Sequence, residues 1–476
     1  MNNLPSEIIC YILKYLENTK DVINFSLTCK KNRKIVEVNK DEFKCVCTLD
    51  NKFIYEIDKL IGYFNIKVNN INISDISNLN KCKELYIYTS PITDLSKFNN
   101  LEYIELYNCY RLTDVSMLIK VKKIKLICCN EITDVNPLEN CEELHIYSNN
   151  KISDISKLGN IKKLVISGCN QIIDISNLGN VEDLILTECN GITDVSTLLK
   201  VKKLNLNYSR YISNVSMLGN CEELSINGCY RVRDVSNLGK VKYLNLSDCD
   251  ISDVSMLGKC LELNLSHCQG ITDVSMLGNV KKLNLSNCQE ITDVSNLGNV
   301  EELDLSGCQG ITDVSMLGNV KKLNLSDCEN ISDISMLGNC EELDLYNCQG
   351  VIDVSSLGKV INLNLSYCVN IIDVSALGNC EYLDLSGCNK ITDVSSLGKV
   401  KILKLCHCEN IIDVSKLGEV IELDLSYCIN IKDVSTLGNL VELNLTGCNK
   451  ITDISTLSKV KKLKLVTKNI IYNYWI

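Results

Sequence analysis

Proline, histidine and aromatic residues are scarce: three prolines, three histidines, one tryptophan and 5% aromatics among 476 residues. So little proline excludes a proline-rich linker, and no low-complexity tail is present. His145, His267 and His407 lie too far apart along the chain to assemble a nucleophile, a base and an orienting group. No glycine-rich phosphate loop occurs either, so intrinsic catalysis is not expected. No run approaches the roughly 18 apolar residues of a membrane helix, and no basic leader precedes an apolar segment. The chain is expected to stay inside a cell and off the membrane. Excess basic charge is missing too. Net charge is −10, with +3 on residues 1–40 and −13 on the remainder, which argues against a nucleic-acid binder.

What is abundant is periodic. The segment Asp-Val/Ile-Ser-x-Leu begins at residues 75, 94, 114 and so on to 453, giving twenty units, of which Asn214 alone departs from Asp. All steps are of twenty residues except two of nineteen, from 75 to 94 and from 234 to 253. A fixed period of this length requires stacked coils, because one unit cannot bury its own apolar face. In residues 320–339, Leu323-Asn324-Leu325 alternates apolar and polar residues and predicts a short strand. Val320, Ile331, Ile334 and Leu337 supply the other inward positions. Asp333 and Ser335 predict a capped turn. Gly338, at the place where fourteen of the 24 glycines stand, is expected to adopt positive φ.

Cysteine obeys the same frame. Of 28 cysteines, sixteen lie three residues after the second strand leucine, and six more (82, 141, 221, 260, 340 and 380) replace the usual Val. These are inward positions, where a thiol packs as a small hydrophobe with a weak donor. Ser90, Asn149 and Ser209 fill the first site in three units, where their side chains are expected to satisfy neighbouring backbone. A disulfide or metal ladder is the competing reading. Cys45-Val46-Cys47 and Cys406-His407-Cys408 lack a second ligand pair at useful spacing, so no metal and no cofactor are expected.

The unit L-x-L-x-x-C-x-x-I-T-D resembles the cysteine-containing leucine-rich repeat over residues 70–467. Its I-T-D-V-S-x-L half also resembles internalin repeats, taken here to have longer units and no cysteine ladder. The resemblance implies a parallel sheet on a concave face, short turns behind it and a shallow arc of about 95 Å at ~4.8 Å per strand. The two residues before the strand leucine alternate in sign: Lys281-Lys282, Glu301-Glu302, Lys321-Lys322, Glu341-Glu342. Opposite charges are therefore expected to face one another between coils, with like-sign stacking avoided throughout.

Residues 1–40 follow another rule. Pro5 and Ser6 open a helix along which Ile8, Ile9, Ile12, Leu13 and Leu16 recur at helical spacing, and two further short helices fit the rest. Leu-Pro-Ser-Glu-Ile followed by Ser-Leu-Thr-Cys-Lys-Lys-Asn-Arg resembles the F-box. That resemblance implies binding to the Skp-type adaptor of a cullin ubiquitin ligase through Leu4, Pro5, Ile8, Leu16, Leu27 and Cys29. Asn32 stands where many F-boxes have Trp. The fold class expected is thus α/β: a helical F-box (1–40), a connector and N-terminal cap (41–69), a leucine-rich-repeat solenoid (70–467) and a C-terminal cap or tail (468–476). Frequent Asn, Ile and Lys in near-identical repeats are similar to such proteins of giant amoeba viruses, which would place the chain in a host cytoplasm.

The layout implied is a substrate-recruiting adaptor of an SCF-type ligase. The alternative is a free-standing interaction scaffold or decoy whose helical end caps the array. Two surfaces compete for the partner protein. One is an edge patch of Tyr208, Arg210, Tyr211, Tyr230, Arg231 and Arg233, residue types enriched at binding hot spots. The other is the concave strand face, where His145, Val165 and Ile185 give way to Asn and Asp.

Overall fold

The computed structural model describes residues 46–49, 65–69, 74–80, 82–467 and 470–472. The helical module expected at 1–40 lies outside the described residues. The chain divides into two compact units between Arg231 and Val232.

In the first unit, β1 (Val46–Leu49), β2 (Asn65–Asn69), β3 (Glu84–Tyr88), β4 (Tyr103–Tyr107) and β5 (Lys123–Ile127) pair in parallel and in sequence order. The order continues through β6 (Glu143–Tyr147), β7 (Lys163–Ser167), β8 (Asp183–Thr187), β9 (Lys203–Asn205) and β10 (Glu223–Ser225). In the second unit the parallel run comprises β11 (Tyr243–Asn245), β12 (Glu262–Asn264), β13 (Lys282–Asn284), β14 (Glu302–Asp304), β15 (Lys322–Asn324) and β16 (Glu342–Asp344). It goes on with β17 (Asn362–Asn364), β18 (Tyr382–Asp384), β19 (Ile402–Lys404), β20 (Glu422–Asp424), β21 (Glu442–Asn444) and β22 (Lys462–Thr467). β23 (Ile470–Tyr472) returns antiparallel on β22. This is the expected parallel leucine-rich-repeat sheet, with short 3-10 turns such as Ser335–Asn339 behind it and no room for longer helices.

Stacking buries the inward set as expected. Val320, Leu323, Leu325, Cys328, Ile331, Ile334 and Leu337 are all at most 2% exposed. At roughly 1.5–3 kcal/mol per fully buried aliphatic side chain, this repeated interior dominates the stability of each unit. The turn is capped as expected: Asp333 Oδ1 accepts the Ser335 N–H at 3.0 Å, and the same bond recurs in every unit, Asn214 included.

Two expectations are corrected. The glycine of the Leu-Gly pair does not need positive φ, since Gly318 lies at −62° and Gly358 at −61°. Its necessity is steric: a Cβ on Gly338 would collide with the Ser356 carbonyl oxygen of the next coil. Positive φ falls instead on the residue before the ladder position, which is more often Asn, Asp, Tyr or His than Gly. Charge alternation also has a breach. Lys282 pairs with Glu302 at 3.2 Å and Lys322 with Glu342 at 3.0 Å, but Glu422 stands opposite Glu442.

Strand length has a side-chain cause. β3–β8 run five residues, whereas β9–β21 run three. From 205 onward the outward strand residue is almost always Asn or Asp, and its Oδ1 accepts the N–H two residues on, as in Asn324 to Ser326 at 3.0 Å. That side-chain turn bends the chain out of regular extension. His145, Val165 and Ile185 have no such acceptor, and their strands stay long; Ser225 and Lys404 lack it too while β10 and β19 run three residues, so the turn accounts for most of the short strands and not for all. Coil-to-coil bonding continues past the short strands all the same: the Leu325 N–H donates to Asp344 O and the Asp327 N–H to Tyr346 O, both at 2.8 Å.

Candidate interaction surfaces

Side chains alternate along each strand, so residues between the buried leucines stand on the outer face of the sheet. In β3–β6 this places Tyr86 and Tyr88 on β3, Tyr103 and Tyr107 on β4 and Tyr147 on β6, around Glu105, with Lys125 on the intervening β5. Tyr88 and Tyr103 each donate a phenolic hydrogen bond to Glu105, at 2.6 and 2.8 Å, and Tyr86 donates to Glu84 at 3.2 Å. Lys125 reaches the Glu105 carboxylate at 3.8 Å and lies 6.0 Å from the Tyr103 ring centre. The rings touch as well, with Tyr86 and Tyr103 centres 5.2 Å apart and Tyr88 and Tyr107 centres 5.8 Å apart.

His145 closes this cluster. Its ring nitrogens meet Glu143 Oε1 at 2.7 Å and the Tyr147 hydroxyl at 3.1 Å. Burial holds the imidazole below its ordinary pKa, against the opposing pull of Glu143. Burial, with help from Glu84 and Glu105, pushes the Tyr86 phenol up to about 12, so it remains a neutral donor. Carboxylates thus hold the hydroxyls of Tyr86, Tyr88 and Tyr103, an arrangement suited to recognition. Anchors ordered in advance lose less entropy on binding. Sequence reasoning noticed His145 but missed the tyrosines, although their placement at outward strand positions in successive units was the available signal.

Of the edge-patch residues, Tyr208, Arg210, Tyr211, Tyr230 and Arg231 belong to the first unit. Tyr208, Tyr211 and Tyr230 are exposed, and the Arg231 guanidinium lies 4.7 Å from the Tyr211 ring centre, a cation–π contact. The Tyr208 ring covers Gly228, and the Arg210 N–H donates to Asn190 Oδ1 at 3.2 Å. Arg233 belongs to the second unit, where it pairs with Asp250 at 2.8 Å. The unit in which Ser209 replaces the ladder Cys and Asn214 the turn Asp is structurally ordinary. Asn214 caps its turn as Asp does, and Ser209 Oγ donates to Leu186 O at 3.0 Å, as a ladder thiol would. Leu4, Pro5, Ile8, Leu16, Leu27 and Cys29 lie outside the described residues.

The ladder cysteines are buried free thiols, most of which donate to the carbonyl of the second inward strand residue of the preceding coil, with S···O 3.1 Å for Cys308 to Leu285 O and 3.0 Å for Cys428 to Leu405 O. Asn149 makes the same bond to Leu126 O at 2.9 Å, but its Oδ1 is left without a partner. Cys has no such surplus acceptor, which explains its preference here. Cys406 and Cys408 point apart, the first half-buried and the second fully buried. Among the described residues no three His, Cys, Asp or Glu side chains gather as a metal site, and no helix is long and apolar enough to cross a membrane.

An F-box-like family matches residues 1–40, and a leucine-rich repeat family matches residues 240–257 and 299–317. Both families are typically interaction modules without enzymatic activity. No curated protein matches the chain. Among solved structures, an internalin, InlF of Listeria monocytogenes, is 21% identical over 69% of this chain and 87% of its own, with a TM-score of 0.38. The functional domain of InlJ from the same organism is 19% identical over 77% of this chain and 74% of its own, with a TM-score of 0.37. That domain is described as including a cysteine ladder. TLR13, solved in complex with ssRNA13, is 14% identical over 84% of this chain and 80% of its own, with a TM-score of 0.50, a likeness of fold alone.

Proposed function

We infer that the chain recruits a target protein to an SCF-type ubiquitin ligase inside the cell. Residues 1–40 engage a Skp-type adaptor, and through it the cullin, while the repeats hold the target. The observation that carries this reading is the F-box-like match at residues 1–40 ahead of a leucine-rich-repeat array. The outer sheet face supports the second half, because it offers fixed tyrosines and charged groups, types suited to protein recognition. Leu4, Pro5, Ile8, Leu16, Leu27 and Cys29 are the adaptor contacts in this reading. Tyr208, Arg210, Tyr211, Tyr230 and Arg231 form one target surface of the first unit, and Arg233 contributes on its own in the second. The chain performs no chemistry itself.

Capture of a purified Skp-type adaptor by the full chain tests the first half. Replacing Leu4 by Asp is expected to weaken capture by about tenfold or more, since it puts a charge into an apolar contact. Capture that survives Leu4→Asp and Pro5→Ala would remove those contacts from the reading. A wild-type chain that captures no such adaptor would leave a free-standing scaffold.

A further inference from the structure

The outer face of β16–β21 carries an unusual mixture. Six carboxylates (Glu342, Asp344, Asp384, Glu422, Asp424 and Glu442) share it with one cation of the same strands, Lys404, while lysines of the flanking strands pair with the outermost two, Lys322 with Glu342 at 3.0 Å and Lys462 and Lys464 with Glu442 at 3.2 Å. Rings follow the same strands. Tyr346 and Tyr367 have centres 5.5 Å apart, and His407 stacks on Tyr427 at 4.5 Å with planes 1° from parallel. Tyr346, Tyr367, His407 and Tyr427 are exposed. Tyr367 and Tyr427 each lie over a glycine of the next coil, Gly387 and Gly447, where a Cβ would come within 3 Å of the ring. The backbone thus clears room for flat aromatic platforms beside an acidic column.

Lys404 shows what such a surface holds. Its ammonium donates to the Tyr382 hydroxyl at 2.9 Å, sits 5.1 Å from the centre of that ring and lies 3.7 Å from the Asp384 carboxylate. An amine here meets a ring and a carboxylate together.

Spacing then selects the ligand. In the central column, Asp304, Asp344, Asp384 and Asp424 recur every second strand. At ~4.8 Å per strand, successive carboxylates are about 9.6 Å apart and the four span about 29 Å. A polyproline-II segment advances ~3.1 Å per residue and returns every third side chain to one face, giving about 9.3 Å per triplet. Over three triplets the mismatch is about 1 Å, within the reach of a lysine or arginine side chain.

We propose that the outer face of β14–β21 binds an extended, basic segment of the target protein, with Lys or Arg at every third residue facing the aspartate column. This rests on the reading of the repeats as the target-binding half and specifies the class of target. The segment lies across the strands, its cations on Asp304, Asp344 and Asp424 and passing Asp384, whose carboxylate Lys404 already approaches, with its intervening residues against Tyr367, His407 and Tyr427.

The test uses the full chain and a labelled peptide of repeated Lys-Pro-Ala triplets, about 12 residues long and biased to polyproline II. A peptide of the same composition with its lysines in one block is the control, and fluorescence anisotropy is the readout. The spaced peptide is expected to bind about tenfold tighter than the block. Joint replacement Asp344→Asn, Asp384→Asn and Asp424→Asn is expected to weaken it by about tenfold or more. Asn364 and Asn444 already make the same turn bond in that column, so these variants keep the fold, which an unchanged urea midpoint checks. Tyr367→Asn with Tyr427→Asn places at positive φ a residue already found there at Asn287 and Asn347, and is expected to weaken binding severalfold. Equal binding of both peptides, indifference to these substitutions, or preference for a single-stranded oligonucleotide would overturn the proposal. Skp-type adaptor capture by the same variants is read in parallel. Retained capture without peptide selectivity sinks only this inference, whereas peptide selectivity without capture sinks only the ligase coupling.

Discussion

A thiol at the ladder position fills interior volume and donates to a carbonyl one coil back, and the two roles together restrict what can replace it. Ser209 and Asn149 keep the donor and lose some apolar contact. Burial, reinforced by the neighbouring Cys268 and Cys308, pushes the Cys288 thiol up to about 12, and burial does the same to Cys368. Such thiols carry almost no thiolate at neutral pH and are shielded from reagents. Cys128 and Cys406 are only half-buried. Brief alkylation of the native chain, mapped by mass spectrometry, is expected to label Cys128 and Cys406 well before any ladder cysteine between 109 and 448. Early labelling of Cys288 would show that the coils do not close over it. The inward position of these residues was legible from their phase relative to the strand leucines. The direction of the S–H bond was not, because it depends on the offset between coils.

The twenty-residue coil was readable almost part by part, because each inward residue, cap and strand repeats often enough to reveal its role. The glycine was misassigned for a definite reason. A missing side chain is equally compatible with positive φ and with close approach of another backbone, and only the stacking distinguishes them. Gly338→Ala is therefore expected to destabilise the chain by about 1–3 kcal/mol, by forcing the Ser356 carbonyl aside. Urea denaturation checks this, and a stabilised Gly338→Ala chain would restore the conformational argument. The change from five-residue to three-residue strands was likewise written in the sequence, as the switch from His145, Val165 and Ile185 to Asn and Asp. It could be recognised only once the side-chain turn was seen.

For the molecule taken whole, the repeated turn sets the response to acid. In Asp333 the Ser335 backbone N–H and then its hydroxyl hold the carboxyl below its ordinary range, and eighteen motif aspartates are lowered in this way. A carboxyl with a depressed folded pKa contributes stability that is present above its unfolded value and lost as pH falls through the folded one. The melting temperature is thus expected to be nearly level from about pH 8 to 5 and to drop steeply below about pH 4, where the unfolded aspartates protonate first. A level melting curve down to about pH 3 would contradict this. The interaction surfaces were less legible than the coil. The tyrosines around Glu105 and the rings beside the aspartate column become neighbours only across strands twenty residues apart, and single residues outside the consensus resemble drift until the register aligns them. That register has a hereditary consequence. Removing one coil from the run Lys282, Glu302, Lys322, Glu342 would bring like charges together, whereas removing two restores the alternation. An insertion or deletion of forty residues, two coils, keeps the alternation in this run and adds or removes one aspartate of the column, whereas one of twenty residues breaks it.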